Sequence, residues 1–273
     1  MSLPSPPMPR QMVKPSQAKR FRTLRTIFAL IMREMGTTYG RSPGGYLWAI
    51  LEPAAGIALL TVIFSVVGFR TPPIGTNFAI FYATGLLPFT AYMGISGKLA
   101  QALLFSKSLL AYPRVTFMDA ILARFLLNFS TQLMTSYVLF ALILLFYETR
   151  TSLDFNKLAL AFAMVGALGF GVGVMNCYLT TRFQVWAQIW AIGNRPMFII
   201  SGIFFIFDTV PEPYRSYLWY NPLIHIIGMT RAAFYPYYDA DYVSMSFVFA
   251  ISIALSSLGL ILLKRYHKDI LYR

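Results

Sequence analysis

Three ionisable residues, Glu52, Arg124 and Arg195, fall inside long apolar stretches of a 273-residue chain. A charge at membrane depth is costly, so each needs a partner or a task. One reading pairs Glu52 with Arg124 or Arg195. The other puts Arg124 and Arg195, with Trp48, Asn128, Gln132 and Asn194, on the wall of a cavity that receives an anion through planar guanidinium donors. Tyr82 and Phe89 lie seven residues apart and Phe81 and Tyr92 eleven, so each pair shares a helix face. Such rings suit the C–H faces of sugars, although core packing accounts equally well for any one of them.

This is binding chemistry rather than bond-making chemistry. The segment Gly94-Ile95-Ser96-Gly97-Lys98-Leu99 has two residues between its glycines, and Leu where a magnesium-binding hydroxyl is required, so it is no phosphate loop. A lone Cys177 and the separated His225 and His267 offer no metal site, and no cofactor is expected in this chain. An enzyme working on lipid-linked sugars would gather acids at one leaflet. Here the acids outside the apolar runs are scattered.

The elements that position these residues are membrane elements. With 57% hydrophobic and 12% charged residues, the chain has too few charges to cover a soluble domain of its size. The expected fold is an all-α polytopic membrane protein with six transmembrane helices. They lie at roughly Leu47–Phe69, Phe78–Gly97, the later part of Val115–Phe146, Lys157–Thr180, Ala187–Phe207 and Met245–Leu263. Residues 1–20 read as a flexible basic tail without the pattern of a cleaved signal peptide, leaving the first spanning helix to direct insertion. A cytoplasmic N-terminus would gather sixteen Lys and Arg on that side and five on the other, which places both termini inside. That bias accounts for the net charge of +13, and no nucleic-acid partner is expected.

Three segments are neither spans nor loops. Residues 21–38 form an amphipathic interface helix, with Phe21, Leu24, Ile27, Phe28, Ile31, Met32 and Met35 on one arc and Arg22, Arg25, Thr26 and Arg33 opposite. Residues 96–114 are too polar at Lys98, Gln101, Lys107 and Arg114 to extend the second span. They are too apolar at Phe105, Leu109 and Leu110 for a solvated linker, so a short helix at the membrane face is expected, ended by Pro113. Residues 208–242 hold Pro211, Pro213, Asn221-Pro222 and Arg231 within a hydrophobic run, a pattern that suits two short re-entrant helices with their broken backbone buried in protein. The tyrosines there, with Trp219, fit an interfacial belt equally well. In the fourth span, Gly169 and Gly173 would admit a neighbouring helix, most simply one of the same chain.

The order "FRTLRTIFALIMREMGTTYGRSPGGYLWAILEPAAGIALLTVIF" resembles the opening region of ABC-2 type transporter permeases, in particular those that export capsular polysaccharide. "LLAYPRVTFMDAIL" and the Asn221, Pro222, Arg231 series match the same family. The resemblance covers nearly the whole chain, with residues 21–273 as one transmembrane domain. It implies that Phe105, Lys107, Leu109, Leu110 and Arg114 form a coupling helix for a partner ATPase. It further implies a working unit of two copies with two ATPases that hold ATP and magnesium, and no catalytic residue in this subunit. The implied cargo is a lipid-linked acidic capsular polysaccharide crossing the bacterial inner membrane, handed to a periplasmic polysaccharide co-polymerase and an outer-membrane channel. Export of O-antigen or teichoic acid is the alternative within the family. An ion-coupled secondary transporter is the alternative outside it, although no halves repeat is visible.

Overall fold

The computed structural model describes residues 22–38, 44–66, 71–110 and 115–271. The expected tail, the Pro113 turn and Arg114 lie outside them. Among the described residues the chain is helical without strands: α1 (Arg22–Thr38), α2 (Gly45–Val66), α3 (Phe78–Ala100), α4 (Ala102–Phe105), α5 (Lys107–Leu110), α6 (Phe117–Phe146), α7 (Phe155–Arg182), α8 (Trp186–Ile200), α9 (Tyr214–Trp219), α10 (Pro222–Phe234) and α11 (Met245–Leu271). Five of these, α2, α3, α6, α7 and α11, are long and apolar enough to cross a membrane.

Where the fifth of the six spans was expected, at Ala187–Phe207, helix α8 ends at Ile200. Fifteen helical residues reach about 22 Å, short of a hydrocarbon core of about 30 Å. The chain then bends at Gly202, in the left-handed region at φ 89°, and leads into a 3-10 turn at Phe207–Thr209. A second boundary also moved. Polar residues were expected to end the second span near Gly97, yet α3 runs on to Ala100. Ser96 donates its hydroxyl to the Tyr92 carbonyl, Leu99 is buried, and Lys98 sits in the last turn, where a cation complements the helix dipole. The segment after it forms two single turns, α4 and α5, rather than one helix.

Helix α3 is the centre of the bundle, packed by α2, α6, α7 and α10. Apolar packing has little force between helices in lipid, so close backbone approach matters more. The glycines of α7 provide it on two faces. A Cβ on Gly169 would lie 2.9 Å from Ile95 Cγ2, and one on Gly173 would lie 2.6 Å from Leu99 Cβ, both on α3. On the other side a Cβ on Gly171 would meet the Ser252 carbonyl oxygen at 2.6 Å, while one on Gly259 of α11 would meet the Met175 backbone nitrogen at 2.9 Å. The close neighbours belong to the same chain, as expected.

Local signals fix the helix starts. Thr116 and Asp119 form a reciprocal capping box at α6, Asp154 accepts from the Asn156 and Lys157 amides at α7, and Asn77 accepts from the Ala79 amide at α3. Helix α1 lies against α6 through Ile27 and Glu34, seven residues apart, while Leu24, Phe28 and Met32 stay exposed on an adjoining face. The expected apolar arc therefore divides between a protein-facing and an open side.

The glycine contacts give the first prediction. Gly171→Val should force α7 away from α11 and destabilise the detergent-solubilised protein by about 1–3 kcal/mol, since the obstructing atom is backbone. Gly193→Ala, where a Cβ meets nothing within 4 Å, should leave the melting temperature unchanged or higher. Equal melting temperatures for wild type and Gly171→Val would remove the close approach from the account.

Candidate functional site

Two arginine-centred clusters stand at opposite ends of the bundle. At the α4–α5 end, Arg124 enters from α6 with only 4% of its surface exposed. Its Nε lies 2.9 Å from Glu34 Oε1 on α1, and its Nη1 donates to the Gln101 carbonyl at 2.9 Å, just past the end of α3. That contact is an ion pair between two buried groups. Burial pushes the Glu34 carboxyl above its ordinary range, against the opposing pull of Arg124. The guanidinium also stacks over Phe105 of α4 with its carbon 4.3 Å from the ring centre, and Arg33 covers the same ring at 5.7 Å. One side chain thus ties α1, the end of α3 and α4 to α6.

Phe105 remains 37% exposed, Leu104 is more so, Lys107 is exposed, and Leu109 and Leu110 are half-buried. Beside them a cleft of about 950 Å³ separates Leu104 and Lys107 from Thr181, Phe183, Trp186 and Ile189 of the α7–α8 connection. The segment read as a coupling helix therefore offers apolar side chains next to an open groove while its root is clamped.

At the other end, Arg231 of α10 is 2% exposed and sits over the Phe81 ring at 4.4 Å. Its Nη1 donates to the Phe205 carbonyl at 2.7 Å and its Nη2 to the Ile203 carbonyl at 3.0 Å. Asn221 caps α10 by accepting from the Leu223 amide at 3.1 Å, and its Nδ2 donates to the Ile200 carbonyl at 3.2 Å. Pro222 follows at the first helical position, where its missing N–H costs nothing. Asn221 and Arg231 therefore satisfy three backbone carbonyls of the 200–205 break. His225 locks the neighbouring joint. The Ser244 amide donates to Nδ1 at 3.2 Å, which leaves Nε2 as the protonated nitrogen donating to the Trp219 carbonyl at 2.7 Å. Trp219 Nε1 in turn donates to the Tyr242 carbonyl at 3.1 Å.

The expected pathway residues do not form one wall. Arg124 pairs with Glu34 and not with Glu52, while Glu52 and Arg195 are both exposed on α2 and α8. The reason is depth: α1 lies across α6 at the level of Arg124 and brings its own acid. Asn128 is buried and donates to the Arg124 carbonyl, four residues back along its own helix. Gln132 covers Gly94, where a Cβ would come within 2.5 Å of its amide nitrogen. Asn194 is buried and Trp48 is exposed. Tyr82, Phe89 and Tyr92 are core residues within this chain, as is Phe81. Tyr82 touches Phe64 of α2 at 5.2 Å between ring centres and Phe89 touches Phe198 of α8 at 5.4 Å. Of the supposed belt, Tyr214, Tyr217, Tyr220 and Tyr237 are exposed, whereas Tyr235 is buried and Trp219 and Tyr238 are half-buried.

Glu34 is the residue that sequence reasoning missed. Its signal was present: an acid within a basic helix, in heptad register with buried Ile27.

The Arg231 cluster is directly testable. Arg231→Met leaves the Ile203 and Phe205 carbonyls without their donor and should destabilise the purified protein by roughly 2–6 kcal/mol, at about 1–3 kcal/mol for each buried orphan. Arg231→Lys, which keeps a charge but has no fork, should fall between. An Arg231→Met protein that melts with the wild type would show that the break holds itself.

The site has no nucleotide loop, no metal-binding group among the described residues and no acid–base pair. Residues 25–235 match the family described as ABC-2 type transporter. The polysialic acid transport protein KpsM of Escherichia coli is 31% identical over 237 residues, 87% of this chain and 92% of that protein. The capsule polysaccharide export inner-membrane protein CtrC of Neisseria meningitidis is 27% identical over 90% of this chain and 92% of its own length. The O-antigen export system permease protein RfbA of Klebsiella pneumoniae is 25% identical over 74% of this chain. The match across most of the chain, on a helical bundle of this form, shows that the chain belongs to the ABC-2 type transporter family.

Proposed function

We propose that this chain is the membrane subunit of an ATP-driven exporter that carries lipid-linked acidic capsular polysaccharide across the bacterial inner membrane. The kinship with KpsM, at nearly full length on both sides, is the observation that carries this reading. The capsule relatives cover more of the chain than the O-antigen relative does, which favours capsule over O-antigen as cargo. The assembly pairs two copies with two ATPase subunits, then with a periplasmic co-polymerase and an outer-membrane channel. ATP and magnesium belong to the ATPases.

In this reading α8 and the bent segment after it make the fifth of six crossings. It starts beside Leu104 and Lys107 at the α4–α5 end and finishes where Ile206 meets Gly75 and Arg150 at the opposite end. Six crossings keep both termini cytoplasmic, as the Lys/Arg bias requires. Leu24, Phe28 and Met32 of α1 rest in the interface, and α9–α10 form the re-entrant pair, with α10 buried among α3 and α7.

Coupling follows from the Arg124 cluster. An ATPase that takes Phe105 and Leu109 as an apolar anchor moves a ring already stacked on Arg124, and Arg124 is tied to α1 and the end of α3. Phe105→Ala with Leu109→Ala should leave the permease in the membrane and ATP hydrolysis running, while surface capsule falls at least tenfold in a complementation assay. Wild-type capsule from the double mutant would place the contact elsewhere.

Orientation is tested separately. In a Cys177→Ser background, cysteine at exposed Ser108 should resist an impermeant thiol reagent in intact cells, and cysteine at exposed Asp239 should react. Labelling of Ser108 from outside would invert the topology and end the docking assignment.

A further inference from the structure

A cavity of about 400 Å³ opens at the end opposite α4–α5, where the α2–α3 and α6–α7 connections meet the segments on either side of α9–α10. Its volume falls within the range of small-molecule sites, about 300–1,000 Å³. We propose that this cavity binds one acidic sugar residue of the exported glycan, with Arg150 receiving the carboxylate and Tyr235 and Tyr237 receiving the ring and its hydroxyls. The proposal rests on the exporter reading above for the identity of the glycan, and on its own geometry for the site.

Arg150 stands at the cavity with φ 50°, a left-handed backbone that a long side chain seldom adopts. Its guanidinium is exposed, and among the described residues no carboxylate lies within ion-pair distance of it. Tyr235 lines the same cavity from the end of α10. It lies over Gly75, where φ is 77° and a Cβ would come within 2.6 Å of the ring, so the glycine makes the space this ring fills. Tyr235 is 5% exposed, and its hydroxyl is buried without a hydrogen-bond partner among the described residues.

A buried hydroxyl without a protein partner is unfavourable, and a bound sugar hydroxyl would satisfy it. The neighbouring Tyr238 hydroxyl is already bonded to that of Tyr242 at 3.0 Å, so Tyr235 is the one left open. Tyr237 is fully exposed and offers a flat apolar face for sugar C–H groups. Asp208 supplies a carboxylate on another part of the lining. It accepts from sugar hydroxyls and repels a second anion, which orients the sugar with its own carboxylate toward Arg150. A fork of guanidinium donors is the appropriate receptor for that group.

The test uses the full chain in lipid nanodiscs without ATPase and three tetrasaccharide probes: sialic acid tetramer, galacturonic acid tetramer and neutral maltotetraose, each titrated calorimetrically. At least one acidic tetramer should bind tenfold or more tighter than maltotetraose. Arg150→Asn keeps a residue tolerant of positive φ but removes the charge, and should weaken the acidic tetramer roughly tenfold. Tyr235→Phe deletes one oxygen while preserving core packing, and should weaken it about fivefold with no loss of melting temperature. Binding that ignores charge, no binding of any acidic tetramer, or equal affinity in both variants and wild type would overturn the proposal. A wild-type chain that binds the acidic probe but fails to restore capsule in a null strain would refute the exporter reading alone.

Discussion

Burying a guanidinium without a carboxylate is the constraint on which the half of this bundle opposite α4–α5 depends. Among the described residues no acid pairs with Arg231, so its charge rests on the Ile203 and Phe205 carbonyls and on the face of Phe81. Those carbonyls exist as acceptors only because α8 stops at Ile200. The break and the arginine therefore require each other: an uninterrupted helix would use its carbonyls internally, and an unbroken α8 would leave the charge stranded. Asn221 adds the third carbonyl, and His225 fixes the angle between α9 and the start of α11.

The Arg124 cluster solves a different problem with the same residue type. There the cation has a true counter-ion in Glu34, and its other donors and its face engage a helix end and an aromatic ring. Removing one partner of such a pair costs about 3–5 kcal/mol, whereas Phe105 is held only by ring contacts and remains half-open. The strong contact fixes the helices and the weaker one leaves Phe105 adjustable.

Much of this was readable from local chemistry. Asn221-Pro222 carries its own instruction, a side-chain cap followed by a residue with no amide to satisfy, and the glycines at 169 and 173 mark one face of a close-packed helix. What the chain order does not carry is partner choice at long range. Comparable depth in the spanning segments allows Glu52 to pair with Arg124 or Arg195, but α1 folds back over α6 and presents Glu34 to Arg124 first. Likewise Tyr82, Phe89 and Tyr92 have the composition of a sugar-binding wall, and only the position of α3 at the centre of the bundle shows that all three are buried, with α2 on Tyr82 and α8 on Phe89. The length of α8 was misjudged for a related reason: hydropathy continues through residues 201–206, and nothing in apolarity reports that the backbone there is held by another helix.

The two kinds of helix contact divide the bundle mechanically. Between α7 and both α3 and α11, glycine brings backbone onto opposing atoms, so rotation of one helix about its axis would wedge the pair apart. Helix α8 meets α3 through Phe198 on Phe89, and α2 adds Phe64 on Tyr82 to the approach of Gly56, where a Cβ would lie 3.0 Å from Leu86 Cδ2; each ring contact is worth about 0.5–1.5 kcal/mol. Turning α7 would therefore disturb α3 and α11 together, whereas a shift of α8 along α3 would first exchange ring contacts.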